Sequence, residues 1–510
     1  MASNNHPLMI IEIVAIVFDH LQYIDETSSL FACAQVNRLW AEEAIRLIWS
    51  QGNCWGHEVK YLLKVPNYRR QSYANHMRSI DDLWFKDLKY YHSVLLAPLK
   101  FPRLRSASFL IPYHRDEKFR VQYLVPSLRK LEIYEHGWDH EYGFGDYANF
   151  DYVSDDFFLQ IEKRCPNLEE FEIERPQNNS QAESILRVLR NTPSIQRLSI
   201  TSNRHCSHCD LKDGPAKDAY MYLFALLAKH ATLRELKWRM LMFRALVEEV
   251  TKTTTRPFCQ LRNLDCHATN TAMVSLLPHL PDLKILRLDI DLPRSRYGID
   301  LSILPSIAHC TNLRALKLSI SSACNEVRIP LQEVLDFTSA CNQLEQLEIS
   351  TGLSYLIEIP GFTDSHFEVL VSQLPNLRKL ELRLGLKELI STQSLLSLGA
   401  HCPCLEKLDL GGVFDLSLLG ITDRVLFPNL RETILRKVES SSGSSADTCA
   451  TMMYYHAPKS YLGVMHSDEF GTAVEKAHRS LCEKPHVFLL NQALKNLGKL
   501  KDCIEQSLPV

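Results

Sequence analysis

Leu283-Lys284-Ile285-Leu286-Arg287-Leu288 shares its frame with Leu313-Arg314-Ala315-Leu316-Lys317-Leu318, Leu344-Glu345-Gln346-Leu347-Glu348-Ile349 and Leu377-Arg378-Lys379-Leu380-Glu381-Leu382. In each, apolar residues hold the first, fourth and sixth places. Further copies begin upstream at Leu128 (LRKLEI), Leu168 (LEEFEI), Ile195 (IQRLSI) and Leu233 (LRELKW), and downstream at Leu405 (LEKLDL). Weaker copies begin at Leu104, Leu261 (LRNLDC) and Leu430. The starts are mostly 22 to 33 residues apart, with wider gaps of 40 and 38. A period of this size marks a repeat array. In a strand alternate residues share a face, so the fourth and sixth places point into a core and the third, fifth and seventh face out.

The chain between strands must return to the same edge of the sheet, and the return segments read as helices. After Asp364, taken as the N-cap, Phe367, Leu370, Val371 and Leu374 fall on one helical face. Ser180 stands before Ile185, Val188 and Leu189 in the same way, and Ser391 before Leu395 and Leu398. Pro-Asn at 166–167 and 375–376 ends the helix and opens the next strand. The fold class expected is α/β: a leucine-rich-repeat solenoid, with a parallel sheet lining the concave side and helices on the convex side. A doubly wound α/β domain is the alternative. It would call for strands of near-continuous Val and Ile with no fixed Leu frame.

The chain has 510 residues, a formal charge of −3 and 45% hydrophobic residues. That charge gives no basic field for nucleic acid or an anionic membrane surface, so neither is expected as a partner. The apolar run Leu8–Phe18 is too short to span a bilayer and carries Glu12. No basic n-region or small-residue cleavage site accompanies it, so no signal peptide is expected. Of the 15 cysteines, Cys165, Cys310, Cys341 and Cys402 recur just before a Leu-rich strand. A cysteine held at one place in successive units reads as a small buried hydrophobe, in a reducing cytoplasmic or nuclear setting.

The N-terminal residues follow another pattern. Glu12, Ile13, Val14, Val17, Phe18 and Leu21 have helical spacing; Val36-Asn37-Arg38-Leu39-Trp40 and Leu47-Ile48-Trp49 follow. This order resembles the F-box family, over about 45 residues. It departs where the family carries Leu-Pro before the Glu, because here the positions are Met9 and Ile10. The resemblance implies a docking face for a Skp-type adaptor, made by Ile13, Val14, Val17, Phe18, Leu21, Val36 and Trp40. It also implies membership of a Skp–cullin–F-box ubiquitin ligase, with a protein substrate held on the repeats. The plainer reading of the same residues is the core of a small cap on the repeat array. The expected organisation is an F-box-like segment at 7–50, a helical linker or cap at 51–100 and the repeats at 101–437. A Ser-rich linker at 438–450 and a C-terminal helical cap at 451–510 complete it.

Motifs for intrinsic chemistry are missing from the sequence. There is no P-loop, no Gly-rich dinucleotide turn, no H-E-x-x-H and no G-x-S-x-G, so an enzyme is not expected and no cofactor is implied. His205-Cys206-Ser207-His208-Cys209 has knuckle spacing but no second half-site, and reads better as a polar loop than as zinc ligands. The acidic, aromatic insertion 139–156 is either a binding element or a plain loop. Outward strand positions carry both signs, as a specific protein partner requires. Glu170, Glu172 and Glu174 form an acidic patch, and Lys237 and Arg239 a basic one two repeats on. These five are the expected target-binding residues, with the patches about 10 Å apart for regularly stacked strands. An interaction scaffold independent of any ligase is the rival reading.

Overall fold

The computed structural model describes residues 13–18, 27–50, 62, 64–81, 96–111, 121–135, 153–174, 179–201, 215–293, 299–321, 326–351, 356–383, 390–422, 424–440, 443–464 and 469–483. The chain divides into two compact units, Met1–Met240 and Leu241–Val510.

In the first unit, residues 13–18 are helical and precede helices Thr27–Cys33 and Arg38–Ser50. Val14, Phe18, Leu30, Ala44 and Leu47 form their common core. The Phe18 and Trp40 rings meet edge to face, 5.3 Å between centroids. Asn37 starts the third helix by accepting the Trp40 backbone N–H on its side chain at 3.0 Å. Trp49 stacks on Tyr73 of helix Asn67–Ala74. The strands β1 (Ser79–Asp81), β2 (Ser106–Ile111), β3 (Lys130–Glu135), β4 (Glu170–Glu174), β5 (Arg197–Thr201) and β6 (Glu235–Met242) then pair in chain order, all parallel.

In the second unit the main sheet runs β7 (Asn263–Thr269), β8 (Ile285–Asp291), β10 (Ala315–Ser321), β12 (Gln346–Thr351), β14 (Lys379–Leu382), β15 (Lys407–Phe414), β16 (Glu432–Val438) and β17 (Tyr461–Val464). A smaller parallel sheet joins β9 (Ile299–Asp300), β11 (Glu326–Arg328) and β13 (Leu356–Glu358). Between successive strands a helix or helical turn returns the chain, and neighbouring helices stack.

The Leu frame explains this arrangement place by place. The anchors are buried throughout: Leu128, Leu131 and Ile133, for example, or Leu313, Leu316 and Leu318. Strands stay in register because the second-place carbonyl of one repeat accepts two N–H groups of the next. Glu169 N and Glu170 N both donate to Arg129 O, at 2.8 and 2.9 Å, and the pattern recurs at Arg314 and Arg378. The residue before the first anchor ties back as well. Asn167, Asn312 and Asn429 donate to a proline carbonyl of the preceding repeat, and Ser127 and Ser194 donate to the equivalent carbonyls. Pro-Asn therefore does more than end a helix.

The helix starts differ from the sequence reading. Thr363, not Asp364, is the N-cap residue of helix Asp364–Ser372, and it makes no side-chain cap. The Asp364 carboxylate instead accepts the Ser391 N–H and hydroxyl and the Ser394 hydroxyl, at 2.6–2.9 Å, at the head of helix Thr392–His401. Asp155 does the same one repeat ahead of helix Asn179–Asn191, accepting from Ser180 and Ser184. Ser180 therefore lies inside its helix as a donor to Asp155. Two stretches also hold strands where helices or a linker were expected. β1 falls within 51–100, and helix Ala446–His456 with β17 makes a further repeat beyond Ser445.

Candidate functional site

Two surfaces are built by these elements, and the first is the N-terminal helical segment. Val14 and Phe18 are fully enclosed, Trp40 is half-buried against that core, and Ile13 is half-buried. Val14, Phe18 and Trp40 hold the helices together. Val17 and Val36 are 39% and 58% exposed, and Ile16, next to Val17 in the chain, is 70% exposed. Leu21 lies outside the described residues. The six described positions of the seven singled out in the sequence thus divide into a buried or half-buried set and an exposed apolar set, Val17 and Val36. Ile16 was missed, since helical spacing marks core residues and not a β-branched residue on the outer face.

The second surface is the face of each sheet opposite the helices. In the first unit the third-place column Lys130, Glu170, Arg197, Glu235 and the fifth-place column Glu132, Glu172, Ser199, Lys237 lie in register. Glu170 is ion-paired with Arg197. Lys237 Nζ reaches across β5 to Glu172 Oε1, 3.5 Å away, because the small Ser199 stands between them. The expected separation into an acidic and a basic patch is therefore absent at these two acids. They are paired within the sheet, Glu170 with Arg197 and Glu172 with Lys237. Glu174 sits opposite Thr201 on β5, and Arg239 is half-buried on β6.

In the second unit one fifth-place column runs Asp265, Arg287, Lys317, Glu348, Glu381, Asp409 across six adjacent strands. Three carboxylates in succession repel, and cations from the same and the flanking columns answer them. Lys379 Nζ lies 2.8 Å from Glu348, with Lys317 at 3.5 Å on its other side. Arg383 bridges Glu381 at 3.2 Å and Asp409 at 2.8 Å. Burial still pushes the Glu381 and Asp409 carboxyls up from their ordinary range, against the pull of Arg383. The fifth-place column was available in the sequence, but which cation reaches which acid depends on side-chain length across strands.

The recurrent cysteines are buried at the ends of return helices. The Cys310, Cys341 and Cys402 thiols donate weakly to carbonyls of the preceding repeat, at 3.3–3.6 Å. Desolvation pushes these thiols and Cys165 up to about 12, so they carry no thiolate at neutral pH. Cys206 and Cys209, like most of the 139–156 insertion, lie outside the described residues.

One strand per repeat, parallel and in register, with a buried Leu frame and a stacked return segment, defines a leucine-rich-repeat protein of the α/β solenoid class. No protein-family model matches the sequence, and no curated protein matches it. Among solved structures the chain is similar to the leucine-rich repeat-containing protein LegL7 from Legionella pneumophila, at 11% identity and a TM-score of 0.27, over 64% of this chain and 93% of that one. No helix among the described residues is long and apolar enough to cross a membrane.

Proposed function

We propose that the protein is the substrate-receptor subunit of a Skp–cullin–F-box ubiquitin ligase. The N-terminal helices dock a Skp-type adaptor, and the open faces of the repeat sheets hold a target protein. The receptor itself performs no covalent chemistry. Its contribution is placement, which raises the target's effective concentration at the transfer centre. The observation that carries this reading is that Ile16, Val17 and Val36 stand exposed on a helical segment whose described core is made by other residues. A segment serving only as a cap has no use for exposed branched apolar side chains, whereas an adaptor would bury them.

The test separates docking from folding. Val17→Glu with Val36→Glu puts charge on exposed positions, so the melting temperature should hold while adaptor co-purification is lost. Phe18→Ala removes a buried ring and should cost about 3–5 kcal/mol of local stability, losing the adaptor for a different reason. Wild type that retains no adaptor overturns the ligase reading and leaves a ligase-independent interaction scaffold.

A further inference from the structure

The second place of each repeat forms its own column, a run of cations at Arg234, Arg262 and Lys284 that gives way from Arg314 onward to alternating charge: Arg314, Glu345, Arg378, Glu406, Arg431. Arg129 pairs with Glu169 at 3.0 Å, Arg314 with Glu345 at 3.3 Å, and Arg378 with Glu406. An acid in the repeat after Arg431 would continue that alternation, and the sequence has none there. The equivalent backbone place, the residue before Tyr461, is Ser460, turned inward and bonded to Thr433 at 2.7 Å. Its neighbour Lys459 adds a second positive charge. Among the described residues neither Arg431 nor Lys459 takes part in an ion pair.

These two cations line a cleft of about 550 Å³ within the second unit, shared with Arg378, Glu406, Asn376 and Asn429. That size suits a short segment or small ligand. Asn376 stands at the place from which Asn167, Asn312 and Asn429 bond back to the preceding repeat, yet it makes no such bond. Its amide is available to a ligand in the cleft. Glu406 is already satisfied by Arg378, so the charge left over is positive and local. A guanidinium offers two parallel donors to a carboxylate or phosphate, and an ammonium beside it adds a point charge.

We propose that this cleft is a binding site for an oxyanion group on a peptide, a glutamate or phosphoserine side chain, which completes the charge ladder between Arg431 and Lys459. Nucleic acid is disfavoured, because Glu345 and Glu406 border the cleft and a polyanion needs a longer run of one sign. The site lies in the repeat region and does not depend on adaptor docking.

The experiment uses the full-length chain and three labelled short peptides of one sequence, carrying glutamate, phosphoserine or glutamine at the central position. Binding of either anionic peptide and not of the glutamine peptide supports the site, and the stronger of the two identifies which oxyanion it takes. Arg431→Glu should weaken that binding at least about tenfold, yet leave the melting temperature intact, since the new carboxylate can pair with Lys459 itself. Lys229→Glu, an equal change of charge on an exposed lysine of the other unit, should leave binding unchanged. Equal binding of all three peptides, no binding of any, or equal losses in Arg431→Glu and Lys229→Glu would each overturn the proposal. Adaptor co-purification measured on the same samples keeps this outcome separate from that of the ligase reading.

Discussion

At the scale of the residue, a place in the repeat dictates chemistry more strongly than residue type does. Cys165, Cys310, Cys341 and Cys402 are sealed in, whereas Cys259, Cys404 and Cys482 are exposed. A thiol reagent should label the second group in the native protein and reach the first only after unfolding. Peptide mapping by mass spectrometry reads the difference, and prompt labelling of the buried group would contradict the frame. Leu316 is an enclosed anchor, so Leu316→Ala should destabilise by about 2–5 kcal/mol in chemical denaturation. Thr433 shows why the copy at Leu430 reads weakly. Its hydroxyl occupies an anchor place and is tolerated because Ser460 is there to bond it.

At the scale of the element, Asp364 and Asp155 fasten one helix start to another, where sequence spacing assigned Asp364 to ordinary capping of its own helix. Asp364→Ala strands the Ser391 N–H and should cost about 1–2 kcal/mol, the usual size of a lost helix cap. Gly412 marks the register shift between β15 and β16 at φ +147°, where an added Cβ would meet Ile390 O at 2.8 Å. Gly412→Ala should therefore destabilise by more than the ordinary preference for glycine there, about 1 kcal/mol. The C-terminal helix Glu469–Glu483 buries His478 against Tyr454, with Cys482 3.7 Å from its ring. Burial holds His478 down at about 4, and His456 is lowered for the same reason. Because the folded pKa lies below the unfolded one, this contribution is complete above about pH 6.5 and is lost as pH falls toward 4. For His478 it amounts to about 3 kcal/mol. His478→Phe should flatten the acid limb of the stability profile, and an unchanged limb would remove the histidine from the explanation.

At the scale of the whole molecule, the repeat frame and its parallel sheet were legible because three apolar places recur whatever else changes. β1 and β17 were not, since Met77 and Ile80 in one and Leu462 and Val464 in the other replace the full six-residue pattern. The binding residues were legible only as columns. Glu172 and Lys237 stood out by sign, but their contact depends on the reach of a lysine over a serine, which no linear spacing displays. Val17 and Val36 read in the sequence as members of one apolar set with Val14 and Phe18, and which of the six described residues stay outside was settled by packing alone.

The paired N–H groups that lock each strand to its predecessor's carbonyl have a further consequence, for how such a chain can change in length. Every strand answers only to the one before and the one after, and asks of each the same backbone register. A duplication or loss that removes one whole period leaves every remaining junction with a partner of the right kind. One that takes half a period leaves a strand without its return segment, or a return segment without its strand, and breaks the junction there. Lineages descended from this sequence should therefore differ by complete repeats, and their breakpoints should fall at equivalent places in the frame.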